Sequence, residues 1–204
     1  MTQKNTSSRL LLISFFSLFA VIFAVLYLVF QSELNQKTEL PELPYLGSVL
    51  SVKLTDQDKQ SFNFADLKGD LFVLSFYSKN PNSVNQVINS KLLELQSSLK
   101  RKKNIRIISV GMDFSSDSIH VTKSMATYWN ANPMIWSFTV SNSERADSIF
   151  QFSDSSYYKN SINEMSIYLI DKQGKIRLKS DGMNVLFTSD ILTNISTLLR
   201  KEHE

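Results

Sequence analysis

The stretch Leu71-Phe72-Val73-Leu74-Ser75-Phe76-Tyr77 constrains this chain more than any other. A nearly continuous apolar run of this kind is expected of a β-strand covered on both faces, inside a sheet rather than at its surface. It leads through the turn Ser78-Lys79-Asn80-Pro81-Asn82-Ser83 into a segment of different period. From Val84 to Arg101 the apolar residues Val84, Val87, Ile88, Leu92, Leu95 and Leu99 recur at helical spacing. Pro81 suits the loop or a first helical turn, where no donor is needed. A buried strand that turns into a helix is the unit of an α/β fold built on parallel strands.

The remaining pattern extends that unit in both directions. Val49 to Thr55 alternates as a strand and, across Asp56–Gln60, pairs with Ser61 to Phe64 in an N-terminal hairpin. Asp66 to Asp70 reads as a helical turn ended by Gly69. Ile105 to Val110 is a second buried strand, and Ser118 to Ala131 a helix with Ile119, Thr122, Met125, Ala126 and Trp129 on one stripe. Ile135 to Val140 is a strand, followed by a helix capped at Asn142 or Ser143 and running to Phe152. Met165 to Ile170 turns at Lys172-Gln173-Gly174 into Lys175 to Lys179, a hairpin that gives the sheet an antiparallel edge. Thr188 to Lys201 closes the chain as a helix. The order predicts an α/β, thioredoxin-like central sheet with flanking helices and an N-terminal β-hairpin, occupying residues 45–204.

Ahead of this domain lies Leu10 to Phe30, uncharged and dominated by Leu, Phe, Val and Ile. About 20 apolar residues suffice to cross a bilayer core, so residues 10–30 are predicted to form one transmembrane helix. The run is longer than the apolar region of a signal peptide, and Tyr27-Leu28-Val29-Phe30-Gln31 offers no small-residue cleavage site. Lys4 and Arg9 precede the run and Glu33 follows it, which places residues 1–9 in the cytoplasm and the domain outside. In a bacterium this is a single-pass anchor in the inner membrane with a periplasmic domain. Residues 31–44, polar at first and then stiffened by Pro41 and Pro44, read as the linker.

The chain contains no cysteine. Disulfides, thiolate nucleophiles, zinc–thiolate sites and a lipidated cysteine are therefore excluded. The formal net charge is +3, and the one dense basic run, Lys100-Arg101-Lys102-Lys103, falls at a helix C-terminus, where cations complement the helix dipole. It reads as a solvated helix end, and nucleic acid is not an expected partner.

Several stretches carry a family resemblance. Pro44-Tyr45-Leu46-Gly47, Leu54-Thr55-Asp56-Gln57-Asp58 and Phe64-Ala65-Asp66-Leu67-Lys68-Gly69 are similar to the opening of a SCO/SenC-family protein. The strand Phe72 to Tyr77, the helix after Val84, Ile107-Ile108-Ser109-Val110 and Ile167-Tyr168-Leu169-Ile170-Asp171 continue the likeness over roughly residues 44–201. The resemblance implies a thioredoxin-like domain that binds copper and serves cytochrome c oxidase assembly, with two cysteines in the strand-to-helix turn and a histidine before a late strand. Here those positions align with Asn80, Val84 and Asn163. Val84 cannot ligate a metal, and amide oxygens suit hard cations rather than copper. Thiol exchange is excluded with the thiols.

No metal, cofactor or catalytic residue is therefore expected. Met112, Met165 and His120 could hold Cu(I) in principle, but read more simply as core and surface residues. His203, in the tail, reads as surface too. Asp113, Asp117 and Asp154-Ser155-Ser156 lack the spacing of a calcium loop or a catalytic dyad. Ser75 and Ser83 have no evident base. Trp129, Trp136 and Tyr157-Tyr158 belong to an aromatic core or, less simply, a recognition patch. The expected function is a non-enzymatic SCO-like accessory protein whose partners are the inner membrane and an oxidase subunit or a SCO paralogue. The alternative is an extracytoplasmic binding module unrelated to copper, with Asn80, Asn82 and Asn163 facing a small polar ligand.

Overall fold

The computed structural model describes residues 4–35, 42–78, 82–112, 118–141, 149–154 and 163–201. The chain divides into two compact units, Met1–Leu40 and Pro41–Glu204.

The first unit contains helix α1, Lys4–Asn35. Its side chains are described from Phe15 to Gln31, and from Phe15 to Phe30 every one is exposed, on all sides of the helix. That stretch alone rises roughly 25 Å at 1.5 Å per residue, less than the ~30 Å of a bilayer core. Among the described residues, no helix is long and apolar enough to cross a membrane.

The second unit is built on a sheet of nine strands: β1 Gly47–Val49, β2 Lys53–Asp56, β3 Ser61–Asn63, β4 Leu71–Tyr77, β5 Ile105–Gly111, β6 Trp136–Ser141, β7 Phe150–Phe152, β8 Ser166–Ile170 and β9 Lys175–Asp181. Their spatial order is β3-β2-β6-β5-β4-β8-β9-β1-β7. β4, β5 and β6 run parallel, and every other pair is antiparallel. The crossover segments supply α2 Ser83–Leu99 and α3 Ser118–Tyr128, and α4 Phe187–Lys201 follows β9.

All seven residues of β4 are buried, and their alternation divides the interior in two. Leu71, Val73 and Tyr77 enter a cluster with Leu92 and Leu95 of α2, Met125 of α3, and Ile191 and Ile195 of α4. Phe72, Leu74 and Phe76 enter a second cluster with Phe64, Leu67, Phe150, Tyr168 and Ile176. Each such apolar side chain stabilises the fold by about 1.5–3 kcal/mol on burial. The second cluster is closed by aromatic contacts: Phe150 lies 4.6 Å from Tyr168 and 6.0 Å from Phe76 between ring centroids. Ser75 shares the helix-side face and meets Ser109 at 2.7 Å between hydroxyl oxygens, while Trp136 Nε1 donates to Ser109 Oγ at 2.9 Å. These buried polar atoms satisfy one another, as a sheet interior requires.

Several expectations are corrected. The stretch expected as one strand, Val49 to Thr55, contains the end of β1 and most of β2, which sit near opposite ends of the sheet. Phe150–Phe152 is a strand rather than the end of a helix, because it pairs with Gly47–Val49. The rest of that expected helix lies outside the described residues. The β8–β9 hairpin is not the sheet edge, since β1 and β7 continue beyond it. Helices α2, α3 and α4 share one face of the sheet, and the other face is covered by the turn Phe64–Leu67, β7 and the N-terminal strands. On α2, Val87 is 37% exposed instead of buried, and Asn85, Asn89 and Gln96 take places in the buried face.

Gly47 ties β1 to β7 at close range. Its φ is +147°, and a Cβ there would overlap the Gln151 carbonyl oxygen and lie 2.7 Å from Phe152 Cα. Gly69 also has positive φ, +98°, but a Cβ there would meet nothing within 4 Å. Gly47→Ala is expected to cost well over 1 kcal/mol and Gly69→Ala about 1 kcal/mol, read as shifts in urea midpoint. Equal losses would show that the β1–β7 contact is not tight.

Candidate functional site

The turn after β4 and the segment before β8 come together at one edge of the sheet because β8 pairs antiparallel with β4, Leu74 opposite Tyr168. Asn82 is the hinge between them. Its side-chain oxygen accepts from Asn85 N at 3.0 Å and caps α2. Its Nδ2 donates to Glu164 Oε2 at 2.7 Å, joining two segments far apart in sequence. Asn163, next to that carboxylate, folds inward on its own strand: its side-chain oxygen accepts from Met165 N at 2.9 Å and from Ser166 Oγ at 2.9 Å. Such an Asx turn is a local structural device. Val84, the second turn position, is half-buried and packs against the helix-side cluster. Asn80 lies outside the described residues, as do Pro81, Asp113, Asp117, Ser155, Ser156, Tyr157, Tyr158 and His203.

The structure does not gather the other candidates. Met112 packs among the second cluster, whereas Met165 is 37% exposed and, by the alternation of β8, falls on the helix side. β4 separates their two strands. His120 is exposed on α3. Among the described residues, no three His, Asp or Glu side chains could hold a metal ion together. Ser75 is engaged with Ser109 in the core, and Ser83 is exposed at the start of α2. Trp136 is wholly buried and Trp129 half-buried, which makes them core rather than a patch. A cavity of about 260 Å³ opens beside the site, lined by Asn163, Met165, Ser166, Lys179, Ser180 and Asp181.

Two features escaped the sequence. Asn85 and Asn89, one turn apart on α2, are 1% and 3% exposed, and among the described residues neither Nδ2 has a partner. The Asn85 oxygen is satisfied, accepting from Ser78 N and Ser78 Oγ at 3.3 Å each. The second is an apolar rim. Gly182 N donates to Met165 O at 2.7 Å, and Lys91 Nζ donates to Gly182 O and Asn184 O at 2.9 and 2.7 Å. These bonds place Val87, Met165, Met183, Val185 and Leu186 around one exposed surface, with Val185 91% exposed.

Among solved structures, the chain is similar to a SCO1/SenC family lipoprotein from Bacillus anthracis, at 20% identity over 75% of this chain and 95% of that one, with a TM-score of 0.60. It is similar to BsSco, a member of the Sco family of cytochrome c oxidase assembly proteins with a disulfide switch, at 20% identity, 76% and 95% coverage and a TM-score of 0.61. It is also similar to Arabidopsis thaliana ScoI with copper bound, at 12% identity, 72% and 96% coverage and a TM-score of 0.54. The fold is that of the SCO1/SenC proteins. No family model and no curated protein matches the chain. The thioredoxin-like α/β architecture expected from the element order is therefore present, on a chain that carries no cysteine.

Two outcomes follow from this geometry. A buried donor without a partner costs about 1–3 kcal/mol, so Asn89→Leu is expected to raise the urea midpoint; a fall of more than 1 kcal/mol would mean that the amide has a partner in solution. Burial also raises the Tyr77 hydroxyl above its ordinary value of 10.0, and burial raises Tyr168 likewise, against a small lowering by its bond with Ser166. The neutral phenols are favoured in the folded state. Their contribution is thus full below about pH 10 and is lost above it, as the unfolded chain ionises first. Stability measured by denaturant titration should fall steadily as pH rises above about 10, and less steeply in Tyr77→Phe.

Proposed function

We propose that this protein is a membrane-anchored, extracytoplasmic SCO-like accessory protein, not an enzyme, acting in respiratory oxidase assembly or a copper-related process without copper at the family's site. One observation carries the reading: the two segments that hold the SCO ligand positions converge through Asn82 and Glu164, yet Val84 packs into the core and Asn163 closes a turn. In this reading Val84 and Asn163 serve structure at two of the three positions. A soft-metal site needs thiolate or imidazole donors, and Val84 and Asn163 supply neither. The anchor reading rests on the sequence, on the uncharged run Leu10–Phe30, which falls within the helical backbone of α1. A helix apolar on every side is at home in lipid rather than in water. The domain then stands on the periplasmic side of the inner membrane.

The partner in this reading is an oxidase subunit or a metallated SCO paralogue, met through the rim of Val87, Met165, Met183, Val185 and Leu186 beside the old ligand turn. Pull-down of the detergent-solubilised protein should recover oxidase or copper-delivery components. Val185→Asp with Leu186→Asp should lower that recovery about tenfold, since a contact centre tolerates no unpaired charge. Cu(I) titration should detect no binding tighter than micromolar; tight binding would restore the copper-carrier reading. Normal oxidase assembly in a deletion strain, with no component recovered, would sink the proposal.

The cavity of about 260 Å³ at Asn163, Ser166 and Lys179 favours a second reading, a binding module for a small polar ligand. Thermal stabilisation by one compound of a metabolite panel, abolished by Lys179→Ala, would select it.

A further inference from the structure

The basic run Lys100-Arg101-Lys102-Lys103 acquires a different meaning once the fold is known. All four side chains are exposed just beyond α2, and none forms an ion pair among the described residues. They stand at the end of the sheet where β4 and β5 begin, since Leu71 N donates to Asn104 O at 2.9 Å. Other cations converge there from distant parts of the sequence. Gly69 N donates to Lys172 O at 3.0 Å, which brings Lys68 and the β8–β9 turn with Lys172 and Lys175 to the same end. α4 follows β9, which ends at the opposite edge, and so runs back toward this end, with Arg200 exposed in its last turn. Of the described acids at this end, Asp70 is engaged with Arg106 at 2.8 Å, Asp171 with Arg177 at 2.6 Å and Asp66 with Asn63 N at 2.7 Å, while Glu42, beside Leu43, is exposed. The opposite edge carries Glu164, Asp181 and Asp190 around the apolar rim, together with Lys91 and Lys179. The cations of the chain are thus gathered more densely at the end where β4 and β5 begin than a net charge of +3 suggests.

The linker joins the domain at the basic end. Arg177, held by Asp171 at the β8–β9 turn, donates through Nη1 to Leu43 O at 3.3 Å. About eight residues separate Leu43 from the last residue of α1, a reach of at most roughly 28 Å when fully extended. We propose that the cationic end of the domain, with Lys68, Lys100, Arg101, Lys102, Lys103, Lys175 and Arg200, rests on an anionic phospholipid surface and turns the apolar rim away from the membrane. The proposal builds on the anchor reading above. A short tether holds the face at high local concentration over the bilayer. Charge attraction acts over about a Debye length, ~8 Å at physiological salt, and clustered Lys and Arg beside an anchor are the pattern that binds anionic headgroups.

The absence of cysteine makes the test clean, because a single introduced thiol is the only one to label. The full chain carrying Gln173→Cys at the basic end, or Val185→Cys at the rim, is labelled with a fluorophore. Each is reconstituted in vesicles that carry a lipid-borne quencher, in phosphatidylcholine alone or mixed with phosphatidylglycerol. Quenching at position 173 should rise about threefold with phosphatidylglycerol and position 185 should not respond. High salt should abolish the rise, and so should Lys100→Glu, Arg101→Glu, Lys102→Glu and Lys103→Glu together, with circular dichroism unchanged. Equal quenching in both lipids, a rise that survives charge reversal, or protection seen only with an added acidic protein overturns the proposal. Alkaline extraction tests the anchor separately. A chain that washes off sinks the anchor reading; flotation of that chain with phosphatidylglycerol vesicles would still support the face, and failure to float would overturn it.

Discussion

Burial of β4 on both faces sets the conditions for everything around it. Leu71, Val73 and Tyr77 need a layer on one side, and α2, α3 and α4 provide it. Phe72, Leu74 and Phe76 need a layer on the other, which the turn Phe64–Leu67, β7 and Tyr168 provide. A central strand with two parallel or antiparallel neighbours must also end somewhere open. The chain leaves β4 at Tyr77 beside Gly111 of β5 and re-enters through α2. The antiparallel β8 starts at that same edge. The meeting of Asn82 with Glu164 is thus a consequence of strand order, whatever side chains the two segments carry.

What the sequence made legible follows the strength of its periodic signals. β4, β5 and α4 were readable almost to the residue, because continuous apolar strands and a one-sided helical stripe have few alternative readings. The residues Val49 to Thr55 were not, because alternation says which side chains are buried and nothing about the partner strand. Within this stretch the chain crosses from β1, beside β9 and β7, to β2, beside β6. Phe150–Phe152 misled for the opposite reason. Three residues are too few to show a period, and the pairing that makes them a strand depends on Gly47, far away in the chain.

The candidate site was legible by subtraction. A cysteine count of zero on a SCO-like frame identifies a turn without thiols, with no structure needed. The substituting interactions were hidden, because each depends on a neighbour supplied by the fold. Nothing local distinguishes Asn82 as a bridge to Glu164, and the buried places of Asn85 and Asn89 contradict a stripe in which Val87 was the obvious member. The basic end is a further case. Lys100–Lys103 is visible as a run, but its company of Lys68, Lys175 and Arg200 exists only once α2, α4 and the β8–β9 turn are aligned.

These interactions also explain what holds the two segments together in a chain without cysteine. In a metal site the binding free energy helps to hold the ligand segments in place. Here the same two segments are joined by an amide donating to a carboxylate, a helix cap and an Asx turn. A cap contributes about 1 kcal/mol, and an exposed charge-assisted bond less than its buried equivalent. Those magnitudes suffice to fix two turns on an edge already ordered by β4 and β8. The orphaned donors of Asn85 and Asn89 run against this economy, because stability alone would have favoured apolar residues there. Their cost concentrates at the N-terminal half of α2, directly behind the turn where the SCO ligand positions fall.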